Sequence, residues 1–134
     1  MQRKLARENA FLLIFESLFK NDETAEEIFV KATELRGLEY DDYVKTVFFG
    51  IFENKRIIEE LIDEISIGWK KERISPVSGA VIRLAIFEMM FMEDIPARVS
   101  INEGIELSKK YDDEKAYTFV NGVLNAAADA LKRK

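Results

Sequence analysis

The sequence predicts an all-α protein of about seven helices. Apolar residues recur at three- and four-residue spacing from segment to segment, and no stretch shows the period of two that a half-buried strand requires. Helix start and stop signals punctuate the chain at intervals suited to short loops.

From Arg3 to Lys20 the pattern is helical, with Ala6, Ala10, Leu13, Ile14 and Ser17 on one face. Phe11 to Phe15 is an unbroken apolar run, which on a helix covers most of the circumference. Either two sides are buried, or Phe11 or Phe15 is left outside as a contact; burial of most of the run is expected. After a turn at Asn21 to Glu23, Thr24-Ala25-Glu26-Glu27 has capping-box spacing. That helix turns Ile28, Ala32 and Leu35 inward and stops at Gly37, suited to a left-handed C-terminal position. Asp41 and Asp42 open a third helix with Val44, Val47, Phe48 and Ile51 on its stripe. Asn54 divides it from a fourth, carrying Ile58, Leu61, Ile62 and Ile65. Gly68 and Trp69 fall in a connecting segment, with Trp69 closing an edge of the core.

Ser75-Pro76 supplies an N-cap followed by proline at the first helical position, where the missing amide costs nothing. The helix to Met92 is apolar nearly all round and belongs at the centre of the domain. Its interior charges, Arg83 and Glu88, lie about 140° apart around the helix and cannot easily pair with each other. Each needs a partner elsewhere, and one is expected to reach Asn102 or Glu103.

Pro96 biases Ile95 toward an extended conformation, so the preceding helix should end near Glu93. Ser100-Ile101-Asn102-Glu103 fits a capping box and predicts a helix start, with Ile101, Ile105 and Ser108 on one face and Leu107 and Tyr111 beside it. Asp112-Asp113-Glu114 breaks that helix and provides acids for the next start. Ala116, Phe119, Val120, Val123, Leu124, Ala127 and Leu131 then recur at helical spacing. Gly104 and Gly122 sit inside these two helices, each costing roughly 1 kcal/mol relative to Ala, which predicts close approach of another backbone or a partner surface, the alternative being tolerated surface glycines.

At 134 residues and 48% hydrophobic, the chain suits one globular domain spanning 1–134, with a sizeable core. No apolar run approaches the roughly 20 residues needed to cross a bilayer, and no secretory signal opens the chain. Without cysteine there is neither a disulfide framework nor a thiolate metal site, so the cytoplasm is the expected compartment. The absence of histidine excludes serine-histidine and cysteine-histidine nucleophilic sites. Glu103 with Glu106 is the carboxylate pair best placed for acid/base or metal work, but one of them is most simply spent on capping. No catalytic residue, metal or cofactor is therefore expected.

The net charge of -5 speaks against a generic polyanion binder, yet the charge is polarised. Arg3, Lys4 and Arg7 stand against Glu8 alone, whereas Asp22, Glu23, Glu26, Glu27, Glu34, Glu39, Asp41 and Asp42 face only Lys31 and Arg36. Arg3 and Arg7 share a helical face, and all three cations lie at a helix N-terminus, which also favours phosphate. Phe15, Tyr111 and Phe119 could stack on unpaired bases if exposed near that end, or could equally pack in the core.

Arg7-Glu8 in a basic first helix, Trp69 followed by Glu72-Arg73-Ile74-Ser75, Ile82-Arg83-Leu84-Ala85-Ile86-Phe87-Glu88, Asp94-Ile95-Pro96, Ile101-Asn102-Glu103-Gly104-Ile105-Glu106-Leu107 and Phe119-Val120-Asn121-Gly122-Val123-Leu124 together resemble the bacterial transcription antitermination factor family NusB. The resemblance covers essentially the whole chain and is strongest from Trp69 to Leu124. It implies two packed helical bundles and a non-catalytic role. Such proteins pair with the small-subunit ribosomal protein that serves as NusE, bind boxA-type single-stranded RNA, and join RNA polymerase and other Nus factors to support processive transcription of ribosomal RNA operons. The implied RNA-binding residues are Arg3, Lys4, Arg7, Phe15, Tyr111, Lys115 and Phe119, with the turn at Glu114 and Lys115 beside them. The ribosomal-protein surface is expected on the helices around 76 to 92.

Two departures from the family pattern matter. The basic cluster is thinner than the usual arginine run, which implies low intrinsic RNA affinity without the partner. Lys115 stands where many relatives carry an acid or polar residue, which favours phosphate contact. Two other readings are a protein-only adaptor or homodimer whose RNA face is occluded, and a domain related to those fused to RNA cytosine methyltransferases. The latter class needs a cofactor-binding domain downstream, and the chain ends at Lys134 without one.

Overall fold

A computed structural model describes residues 1–66 and 74–133. Among them are seven α-helices: α1 (Arg3–Ser17), α2 (Ala25–Val30), α3 (Asp42–Glu53), α4 (Lys55–Ile65), α5 (Pro76–Phe91), α6 (Ala97–Tyr111) and α7 (Ala116–Ala130). The expected positions of Gly68, Trp69, Glu72 and Arg73 lie outside the described residues. No helix among the described residues is long and apolar enough to cross a membrane.

The local signals act largely as their chemistry dictates. Thr24 and Glu27 form the reciprocal capping box, with both hydrogen bonds at 3.1 Å. Asp41 caps α3 by accepting from the Val44 amide at 3.0 Å, and Ser75 caps α5 by accepting from Ser78. Asn54 marks the α3–α4 boundary, where its side-chain amide donates to the Gly50 carbonyl at 2.8 Å. Gly37 closes the second helical segment with φ +74, a left-handed conformation that glycine adopts without a steric cost.

Three expectations need correction. Leu35 points outward and is 78% exposed, because α2 widens into a π-helical turn at Lys31–Leu35 that rotates the side chain off the α-helical stripe. Helix α6 starts at Ala97, with Pro96 as its N-cap residue, so Ser100 and Glu103 lie inside the helix and form no capping box. Gly122 is exposed with nothing near its Cβ position, so close approach does not explain it. Gly104 does meet the expectation: a Cβ there would sit 3.0 Å from Leu124 Cδ1 and 3.2 Å from Val81 Cγ1.

Helix α5 organises the packing. It lies against α1 and α3 on one side and against α6 and α7 on the other, so two helical groups share it. That position explains why Val81, Ile82, Leu84, Ala85, Ile86 and Met89 are all buried. It also leaves little of the helix for a protein partner, since Pro76 and Phe91, at its two ends, are its exposed residues. The Phe11 to Phe15 run is buried on two sides as expected: Phe11, Leu13 and Ile14 are inside, and Leu12 and Phe15 are half-buried.

Candidate nucleic-acid interface

The first turns of α1 carry four charged residues, and helical geometry sends them to different places. Arg3 and Lys4 are exposed. Arg7 lies one and two turns before Phe11 and Ile14, on the buried stripe, and is itself buried. Glu8, the next residue, faces the end of α6.

Inside, Glu88 of α5 is fully buried and holds four helices together. It accepts from Arg7 Nε at 2.8 Å, from Ser100 of α6 at 2.7 Å and from the Tyr43 hydroxyl of α3. Arg7 Nη1 also donates to Glu103 at 3.3 Å. A buried carboxylate must be paired and hydrogen-bonded, and here one cation and two hydroxyls do so. Burial works against the charged guanidinium of Arg7, but the hydrogen bond and charge of Glu88 outweigh it and raise its pKa. Burial, followed by the charge of Glu88, pushes the Tyr43 phenol far above its ordinary value. The demand anticipated for Glu88 is thus met from α6 by Ser100, with Glu103 joined only through Arg7. Arg83 takes a different partner, Glu59 of α4, with its Nη2 at 2.7 Å from Oε1 and 3.0 Å from Oε2.

This placement corrects the expectation for Arg7. Its side chain is 5% exposed and its donors are engaged by carboxylates, so it cannot present a guanidinium to phosphate. The signal was present in the sequence, because Arg7 is in register with Phe11 and Ile14. Arg3, by contrast, remains outside with its guanidinium over the Tyr43 ring, 4.4 Å from the centroid.

At the surface, Glu8 Oε2 accepts from both Lys110 Nζ at 2.5 Å and the Tyr111 hydroxyl at 2.7 Å. The hydrogen bond from Lys110, with that from Tyr111, draws the Glu8 carboxyl below its ordinary pKa; the same bond raises Lys110. The Tyr111 ring packs on Phe11 at 5.0 Å between centroids, and Phe11 in turn meets Phe15 at 6.1 Å. Tyr111 is partly exposed and Phe15 half-buried. Lys110, which sequence reasoning did not single out, therefore joins this corner. The lysine pair at the end of α6 was the available signal, since cations are favoured at helix C-termini.

The other two expected residues lie further along. Asp113 Oδ1 accepts from the amides of Lys115 and Ala116, fixing the turn into α7 and leaving the Lys115 side chain exposed. Phe119 is half-buried and lines a groove with Ile65, Thr118, Gly122 and Val123 on the α4 side of α7. The structure thus gathers Lys4, Lys110 and Tyr111 around Glu8 at the α1–α6 junction, sets Arg3 against Tyr43 of α3, and sets Phe119 in a separate groove.

Helix order, the shared central helix and the basic α1–α6 corner can be compared with known proteins. The NusB family model matches residues 4–129. The chain belongs to the NusB family. A transcription antitermination protein NusB from Natranaerobius thermophilus is 39% identical, covering 99% of each chain. One from Clostridium botulinum is 41% identical, covering 93% of this chain and 96% of the relative. Among solved structures, NusB of T. maritima superposes with a TM-score of 0.83 at 35% identity, covering 96% of this chain and 92% of that one. A structure of antitermination factors NusB and NusE in complex with dsRNA gives a TM-score of 0.82 at 29% identity, covering 96% of each chain.

Proposed function

We propose that this NusB family member is a non-catalytic transcription antitermination factor. It binds boxA-type single-stranded RNA together with the small-subunit ribosomal protein NusE, within an RNA polymerase complex containing other Nus factors, and promotes processive transcription of ribosomal RNA operons. The observation that carries this reading is the meeting of Lys4 from α1 with Lys110 and Tyr111 from α6 at one surface junction, with Arg3 exposed beside Lys4 in the first turn of α1. Similarity to a chain solved with NusE and dsRNA supports NusE and RNA as the classes of partner.

In this reading the RNA backbone follows the cations of α1 and the end of α6, and Lys115 at the α6–α7 turn extends the track. Tyr111 and Phe15 offer rings on which unpaired bases stack, and Phe119 offers another in its separate groove. Arg7 acts from behind by fixing α1 to α5 and α6, so its contribution is to the position of Arg3, Lys4 and Glu8.

The test is a titration of labelled boxA-type RNA, single-stranded and duplex, with and without the ribosomal protein. Neutralising about three phosphates of a single strand gives a log-log salt slope of about -2. Arg3→Glu and Lys4→Glu should weaken binding and flatten that slope. Unchanged affinity in both variants would remove the basic corner as the RNA site.

A further inference from the structure

Glu8 is an anomaly on a surface meant for phosphate. It is the one acid in the first eight residues, it follows three cations closely, and its carboxylate is aimed at Lys110 and Tyr111. A carboxylate oxygen accepting from an ammonium and a phenol hydroxyl reproduces the contacts that a phosphodiester oxygen would make. Lys4 adds a further positive charge near the same carboxylate. The donors come from rigid elements, since Lys110 and Tyr111 end α6 and the Tyr111 ring is held on Phe11.

We propose that Lys110 Nζ and the Tyr111 hydroxyl form a phosphate subsite for the RNA backbone, and that Glu8 occupies its anion position in the free protein. This inference rests on the RNA-binding reading above and adds its regulation. In the free state Glu8 neutralises Lys110, so the subsite offers almost no net charge. Binding moves the carboxylate aside and places a phosphate oxygen against the two donors. The exchange makes intrinsic RNA affinity low while keeping the donors in place. A partner that draws Glu8 away would raise affinity without supplying any RNA contact of its own.

The experiment compares full-length wild type, Glu8→Gln, Lys110→Gln, Tyr111→Phe and the Glu8→Gln/Lys110→Gln double variant. Each is titrated with labelled single-stranded RNA over a salt series. Removing one like charge next to a bound phosphate should make Glu8→Gln bind about fivefold tighter. Its log-log slope should steepen by about 0.7, the value for one further phosphate of a single strand. Lys110→Gln should bind more weakly than wild type, and the double variant should lose the gain of Glu8→Gln. Tyr111→Phe, which keeps the ring on Phe11 and removes only the hydroxyl, should weaken binding with the fold intact by circular dichroism. Glu26→Gln, the same change of net charge on exposed α2, controls for overall charge and should leave affinity unchanged.

Wild-type binding that Arg3→Glu weakens, together with Glu8→Gln and Lys110→Gln both equal to wild type, would overturn the subsite and leave the RNA reading standing. A Glu8→Gln gain that survives in the double variant, or is matched by Glu26→Gln, would also overturn it. No binding by any variant, even with the ribosomal protein present, would overturn both.

Discussion

Arg7 and Glu8 are adjacent in one helix and each makes an ion pair with a distant part of the chain, yet the two pairs belong to different physical regimes. Arg7 meets Glu88 where both side chains are almost without solvent, 5% and 0% exposed. Glu8 meets Lys110 at the surface, where the lysine side chain is 62% exposed. Water and salt screen the second pair and leave the first almost untouched. The lesson is that one helical step separates a residue that holds the fold together from one that is free to exchange its partner. A surface that must bind an anion reversibly needs the latter kind, mounted on the former.

The sharpest way to break this comparison is to remove one half of the buried pair. Arg7→Met leaves the Glu88 carboxylate buried beside Tyr43 and Ser100 without its cation, a change that should cost about 3–5 kcal/mol of unfolding free energy. Urea denaturation followed by circular dichroism reads it directly. Adding Glu88→Leu should recover part of the loss, because no charge then remains unpaired, although the Tyr43 and Ser100 hydroxyls lose their acceptor. A double variant no more stable than Arg7→Met would mean that packing, rather than the buried charge, set the cost.

A smaller effect is expected from Tyr43→Phe, which keeps the ring under Arg3 and removes a single donor to the buried carboxylate. Hydrogen bonds to charged groups contribute about 1.5–3 kcal/mol, so the denaturation midpoint should fall clearly but by less than in Arg7→Met. Ser100→Ala removes the other hydroxyl and should behave similarly. If either matched Arg7→Met, the cation would not be the principal partner of Glu88.

The same contrast explains how much the sequence disclosed. Helix positions were legible where one residue's chemistry settles its own surroundings, as at Ser75-Pro76, the Thr24 and Glu27 box, and Gly37. The reading failed at Ser100 and Glu103, whose spacing imitates a capping box, because the Glu88 carboxylate takes the Ser100 hydroxyl and the Arg7 guanidinium takes the Glu103 carboxylate. Pro96, with its fixed φ, had already started the helix one turn earlier. The basic corner was half legible. Arg3 and Lys4 could be read from local charge, but Arg7 and Glu88 are 81 residues apart and only the packed fold brings them together. Lys110 could be read only as one of a lysine pair at a helix end, since its acid lies 102 residues away. For Arg7, its helical register with Phe11 and the isolated charge of Glu88 held part of the answer.

The smallest effect belongs to the surface pair and carries a definite sign in pH. The hydrogen bonds from Lys110 and Tyr111 hold the Glu8 carboxyl below its ordinary pKa of 4.5. The folded state therefore binds this proton less readily than the unfolded chain does. Its contribution to stability is fully present above pH 4.5 and is lost as the pH falls from there through the depressed folded value. Wild type and Glu8→Gln should consequently differ slightly at neutral pH and converge as the solution is acidified, with the same convergence produced at neutral pH by added salt. The deficit of Arg7→Met should not shrink with salt, because its charges lie out of reach of the ions. Stability curves of the two variants over pH and salt measure both trends. A Glu8→Gln difference that ignored both variables would mean that Glu8 acts by packing and not as an exchangeable charge.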